Sequence, residues 1–245
     1  MTEGLLKNER DFVVPGDRIV NSLDYLPGRN CYREGDSIYS KRLGIVSVAN
    51  RVVSVIALCG PYVPRVGDMV IGEVEEIQSN GWILNINAPY MAYMPLSGVR
   101  EYIDTAKSQL SSYYNIGDVM YAKVSQAQAD SVQVTLQDTR ARKFHTGRVV
   151  TMSPSKVPRL IGKDGSMIIM IKDRTGCRIT VGQNGLVWIE GEREEQVIEI
   201  IRFVEKEAAH EGLTDKVGRL LGVQPGEYAD KGREHDDDKS RWQEE

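Results

Sequence analysis

The chain has 245 residues, 41% hydrophobic and 27% charged, with a formal net charge of −4. That composition suits two or three folded domains and excludes wholesale disorder. No apolar run approaches the roughly 20 residues of a membrane helix. The first ten residues are polar rather than signal-like, and Cys31, Cys59 and Cys177 are too far apart for a disulfide framework or a C-x-x-C metal pair, so a soluble, cytoplasmic protein without a membrane partner is expected.

The dipeptide Gly-Asp recurs directly ahead of extended apolar runs at Gly16-Asp17, Gly35-Asp36, Gly67-Asp68 and Gly117-Asp118. Gly and Asp make turns, and β-branched residues straight after them mark strand starts, so the first 140 residues read as mostly β. Short β signals fall at Arg18–Asn21, Ser37–Tyr39, Ile45–Val48 and Val52–Leu58, with a turn at Leu26-Pro27-Gly28. Gly60-Pro61-Tyr62-Val63-Pro64 then reads as a linker. Five strands are expected at 69–77, 82–87, 91–95, 119–126 and 132–136, with a short helix possible in Arg100–Tyr114. Five antiparallel strands with an insertion after the third is the order of an OB-fold barrel.

After Arg140 the texture changes. Val149–Met152 reads as strand, 156–161 and 165–175 as helices split by Gly162–Gly165, and Ile179–Val181 with Leu186–Ile189 as a hairpin turned by Asn184-Gly185. Residues 194–210 form a helix whose Val197, Ile200, Ile201, Val204 and Ala208 share one face. The order is β-α-α-β-β-α, with a further short helix at Asp215–Leu221. Residues 223–245 have the composition of a disordered acidic tail. The chain is expected to be α+β and multidomain, with boundaries at 1–62, 63–140 and 141–222.

Charge is unevenly placed. Lys and Arg lead Asp and Glu by 10 to 2 over residues 140–180, and trail them 12 to 16 before and 9 to 17 after that segment. Such a segment can neutralise several phosphates with salt-dependent affinity, although it also suits the solvated faces of helices. Within it, Gly162-Lys163-Asp164-Gly165 sits between two helices. Two glycines three apart let another chain approach the backbone closely, and the helix that starts there turns its free N–H groups toward whatever occupies the loop. A phosphate backbone suits that place, with Lys156, Arg159, Lys163, Lys172 and Arg174 nearby in sequence. A P-loop is excluded, because Val157 and Asp164 stand where it needs Gly and Ser or Thr.

With Ile161 before the first glycine, Ile168 and Ile171 at the third and sixth positions after the second, then Thr175-Gly176 and Ile179, the segment resembles a type I KH domain. The resemblance implies a clamp on about four single-stranded nucleotides, with Lys156, Arg159, Gly162, Lys163, Asp164, Gly165, Ser166 and Lys172 as its RNA-binding residues. Asp164 departs from the pattern by placing a carboxylate in the loop. Val66–Val74, Asn80–Leu84, Met94–Ser97 and Ile116–Asp118 resemble an S1-type RNA-binding domain of OB-fold. Where that family places its stacking aromatics and a histidine, this chain has Asn80, Ile83 and Pro95, which leaves Trp82 and Tyr93 as substitutes.

A β-rich N-terminal unit followed by S1-type and type I KH domains is similar to the RNA-binding cap subunits of archaeal exosomes. That resemblance implies a non-catalytic subunit, three copies of which sit on a hexameric ring of RNase PH-like subunits. The N-terminal domain would dock, and the other two would guide single-stranded RNA 3′ regions into the ring for 3′-to-5′ degradation. His145, His210 and His235 stand in unrelated contexts, and no nucleophile–base–orienter set, metal site or cofactor motif is expected. Two alternatives remain at this level: a transcription elongation or antitermination factor, which carries two KH modules of the other topology, and an exoribonuclease in its own right.

Overall fold

The computed structural model describes residues 4–103, 109–128, 131–208, 210 and 212–223. The expected acidic tail lies outside the described residues except for Val223, as does 104–108 of the polar stretch; the described part of that stretch holds one 3₁₀ turn, Leu110–Ser112. The chain divides into two compact units, one ending at Gly60 and the other starting at Pro61.

The first unit contains two sheets. One has the order β1 (Phe12–Val13), β6 (Gly44–Ala49), β7 (Val52–Ala57), β3 (Leu26–Pro27); the other has β2 (Arg18–Asn21), β5 (Ser37–Ser40), β4 (Cys31–Glu34). Alternation sends Val13, Val46, Val53 and Val55 inward, where they join Ile19, Val20, Tyr25, Cys31 and Ile38. Burial pushes the Cys31 thiol up to about 11, against the opposing charge of Lys41, so it packs as a small apolar group. The opposite parity leaves Phe12, Val14, Leu43, Ile56 and Leu58 exposed on the outer face of the first sheet. Leu26-Pro27, expected as a turn, is a two-residue strand parallel to β7.

The second unit begins with a barrel. β8 (Met69–Gln78), β9 (Gly81–Asn85) and β10 (Ala92–Pro95) are followed by β11 (Val119–Ala127) and β12 (Val132–Thr135). β11 pairs with both β8 and β12, and β10 pairs in parallel with β12, which closes the sheet on itself. Bulges at Val74/Glu76 and Val124/Gln126 supply the curvature that closure needs. Within the barrel sheet one strand was not expected from sequence: β13 (Arg142–Phe144) extends it along β11.

The remainder follows the order β14 (Arg148–Thr151), α1 (Val157–Ile161), α2 (Ser166–Thr175), β15 (Arg178–Val181), β16 (Leu186–Glu190), α3 (Glu194–Glu207), α4 (Leu213–Leu220). The antiparallel sheet β14-β16-β15 packs Val187 and Ile189 against the helices, with Leu160, Met167, Ile171, Val197, Ile201 and Val204 in the same core. Its other face meets the barrel, where Trp188 stacks on Phe144 at 4.2 Å between centroids and 11° between planes, over Ile71.

The β15–β16 turn completes this seam. β9 pairs with β8 only from Glu73 onward, so Ile71 lacks a strand partner on that side. Asn184, fully buried, takes that place. Its Oδ1 accepts from the Ile71 N–H (3.2 Å), and its Nδ2 donates to the carbonyls of Ile71 and Ile86 (2.7 Å each). A side-chain amide carries the same donor and acceptor as a peptide group, so it substitutes for one. Gln183 adds a reciprocal pair with Met69, its N–H donating to the Met69 carbonyl (2.9 Å) and its Oε1 accepting the Met69 N–H (2.8 Å).

Candidate nucleic-acid interface

The glycine turn lies where α1 ends and α2 begins. Gly162 has φ 78° and ψ 178°, a region closed to residues with a side chain, and a Cβ there would stand 2.8 Å from the Met167 nitrogen. Gly165 has φ 78°, but a Cβ there would meet only the Ile169 methyl at 3.8 Å. Gly162 is therefore fixed by packing, whereas Gly165 borders open space. Lys163 and Asp164 between them are exposed, with Asp164 also left-handed at φ 52°. α2, ten residues long, opens at this turn; its Ser166 N–H donates to the Lys163 carbonyl, and the next amides of its first turn have no acceptor within the helix.

The structure brings Arg159, Gly162, Lys163, Asp164 and Gly165 to one exposed or half-exposed bend, and Lys172 is exposed further along α2. Lys156 is committed elsewhere, since its ammonium donates to the Glu205 carbonyl at 2.7 Å. The Glu205 carboxylate accepts from the Ser153 N–H (2.8 Å) and hydroxyl (2.7 Å). Burial raises that carboxyl's pKa, but these bonds and the Lys156 charge outweigh it and hold the group below its usual range. Ser166 is buried beneath the turn, so its side chain is not part of the surface expected from sequence.

On the barrel the sequence reading of Trp82 is corrected. Its side chain is fully buried, its indole N–H donates to the Tyr114 carbonyl at 3.0 Å, and the Tyr114 ring packs edge-on at 5.3 Å. No ring face is left for a base. Trp82 and Leu84 point inward together, which places Ile83 outward in a row with Glu76, Tyr93 and Gln133. Tyr93 is half-buried and its hydroxyl donates to the Asn80 carbonyl at 2.7 Å. That row carries one aromatic ring, one carboxylate and no cation.

The sequence reading missed the ion pair that ties β13 to the barrel and a second cluster just before that strand. Lys143 pairs with Asp118, and Asp138 with Lys123 and Arg140. Partial burial raises the Asp118 pKa, but the Lys143 ammonium and the Asn115 N–H outweigh it, so the carboxyl lies below its ordinary range. Asp138 is held lower still, chiefly by hydrogen bonds from the Arg140 side chain and backbone.

A closed five-stranded barrel packed through a hydrogen-bonded seam against a β-α-α-β-β-α domain with an open glycine turn defines a multidomain α+β protein of the S1-plus-KH class. Family models match in the same order: the exosome complex exonuclease RRP4 N-terminal region over residues 12–49, the RRP4 S1 domain over 61–126, and a KH domain over 147–195. Exosome complex component Rrp4 of Methanothermobacter thermautotrophicus is 42% identical over 228 residues, spanning 90% of this chain and 72% of that one. The Rrp4 of Thermococcus kodakarensis is 42% identical over 219 residues, spanning 86% and 85%. The Rrp4 of Methanothermus fervidus is 39% identical over 220 residues, spanning 89% and 97%. A crystal structure described as an exosome complex RNA-binding protein superposes with TM-score 0.61 at 29% identity, covering 66% of this chain and 96% of that one. The chain belongs to the Rrp4 family of exosome complex components. No helix among its described residues is long and apolar enough to cross a membrane.

Proposed function

We propose that this chain is a non-catalytic RNA-binding cap subunit of a cytoplasmic exosome. It captures single-stranded RNA 3′ regions and feeds them to a hexameric ring of RNase PH-like subunits that carries three copies of it. The observation that carries this reading is the open turn at Gly162–Gly165, where exposed backbone meets the start of α2 with Arg159 and Lys163 beside it. Residues 1–62 serve as the docking domain, 63–140 as the S1-type domain and 141–222 as the KH domain. The exposed apolar row Phe12, Val14, Leu43, Ile56, Leu58 supports docking by the first of these, because patches of that kind mark protein contacts. The barrel row around Tyr93 lacks cations, which favours guidance of the strand over tight stacking by the S1-type domain.

The test incubates pure full-length chain with poly(A)-like RNA, phosphate and Mg²⁺. The RNA is expected to be bound and recovered at full length. Gly165→Asp is expected to weaken binding about tenfold or more, equivalent to about 1.4 kcal/mol, with Gly165→Asn losing less. Asp and Asn tolerate the left-handed region better than other side chains, and the space beside Gly165 admits them. Shortened RNA would overturn the non-catalytic assignment, and unchanged affinity of a folded Gly165→Asp would overturn the loop as the grip.

A further inference from the structure

Part of the basic segment does not go to the glycine turn. Arg142, Lys143 and Arg178 line a cleft of about 380 Å³ on the seam between barrel and KH domain, together with His145 and the stacked Phe144 and Trp188 rings. Arg142 is exposed, and its partners are a hydroxyl and two aromatic rings. It donates to Thr180 Oγ1 at 2.6 Å, and its guanidinium carbon stands 5.4 Å from the Phe144 centroid and 6.0 Å from that of Trp188. The acidic groups here are Asp118, paired with Lys143, and Glu190, which accepts from Arg178 and from the Thr146 hydroxyl. Three fixed cations thus face two carboxylates in a concave, aromatic-walled space, where low-dielectric walls focus a net positive field. Cations set against aromatic rings are the chemistry with which proteins hold single-stranded nucleic acid.

We infer that this cleft is a second phosphate site for the RNA strand, a reading that rests on the grip at Gly162–Gly165. α2 runs from that turn to Thr175, three residues before Arg178, and its ten residues span about 15 Å. The helices and the cleft lie on opposite faces of the KH sheet, and Arg178 opens its edge strand β15, so a strand that fills the space at the turn with about four nucleotides, follows α2 and rounds that edge brings its next phosphates to Arg178 and then to Arg142. The cleft therefore acts on RNA longer than the loop's own footprint and adds affinity without reading sequence, because its donors address phosphate.

The test measures binding of the full-length chain to single-stranded RNA of about four nucleotides, which the loop alone can hold, and to one of about twelve. The double variant Arg142→Gln/Arg178→Gln is expected to leave the short RNA unaffected. On the long RNA it is expected to lose about tenfold, with a log–log salt slope shallower by about 1.4, the release expected for two phosphate contacts on a single strand. Glu190→Gln, which frees Arg178, is expected to tighten the long RNA, a gain that a misfolded protein cannot produce. Unchanged long-RNA affinity and slope in the double variant, or no gain from Glu190→Gln, overturns the proposal. Failure of the loop itself reads out separately, as short-RNA affinity unchanged in Gly165→Asp.

Discussion

Gly162 and Gly165 are alike in sequence and unlike in place. The first is pinned against the Met167 backbone and the second borders open space, so only the second offers a position where a side chain reports on binding rather than folding. Asn184 shows a similar division. As half of an Asn-Gly pair it was legible as a turn residue, but its substitution for a missing strand partner of Ile71, 113 residues earlier, has no local signature. Asn184→Ala leaves the Ile71 N–H and two buried carbonyls unpaired. At about 1–3 kcal/mol for each such group, we expect a loss of about 3 kcal/mol or more in urea unfolding, and a loss below about 1 kcal/mol would show that the amide does not hold the seam. Trp82 marks the limit of parity reading. Trp82, Ile83 and Leu84 are all apolar, so alternation could not say which of them faces the core.

The elements were most legible where turn chemistry and apolar period agree. The five barrel strands and the KH helix–helix junction fall within a few residues of expectation, with Gly-Asp turns ahead of β8 and β11 and paired glycines between α1 and α2. The missed strands are short or polar. β1 and β3 have two residues each, β4 reads Cys-Tyr-Arg-Glu, and β13 reads Arg-Lys-Phe inside a basic run whose charge suggested a ligand rather than a strand. Charge also holds β13 in place. Because Asp118 titrates below its unfolded value, its pairing with Lys143 stabilises the fold above the unfolded carboxylate pKa, about 3.9. That contribution is lost as pH falls through the lower folded value. Asp118→Asn is therefore expected to be less stable than the parent near pH 6 and to converge with it at the acid end. Urea midpoints measured across that range check this, and curves that stay parallel would remove Asp118 from the account.

At the scale of the whole molecule, a net charge of −4 conceals the arrangement that matters. The basic segment was legible as a count, and the glycine turn as a motif. The sequence could not show that the cations divide between that turn and the seam, because the division follows from β13 joining the barrel sheet and Trp188 packing on Phe144. The order of domains was likewise readable from turn spacing and from the change in texture after Arg140, whereas the seam between barrel and KH domain depends on side chains that meet only in the fold. On the function proposed above, main-chain amides at the glycine-flanked bend hold the nucleic acid. Amide NMR of the full-length chain titrated with a short single-stranded RNA tests it most directly. The largest shifts are expected at residues 162–167, and a saturated complex in which those amides stay unmoved while others shift would contradict it.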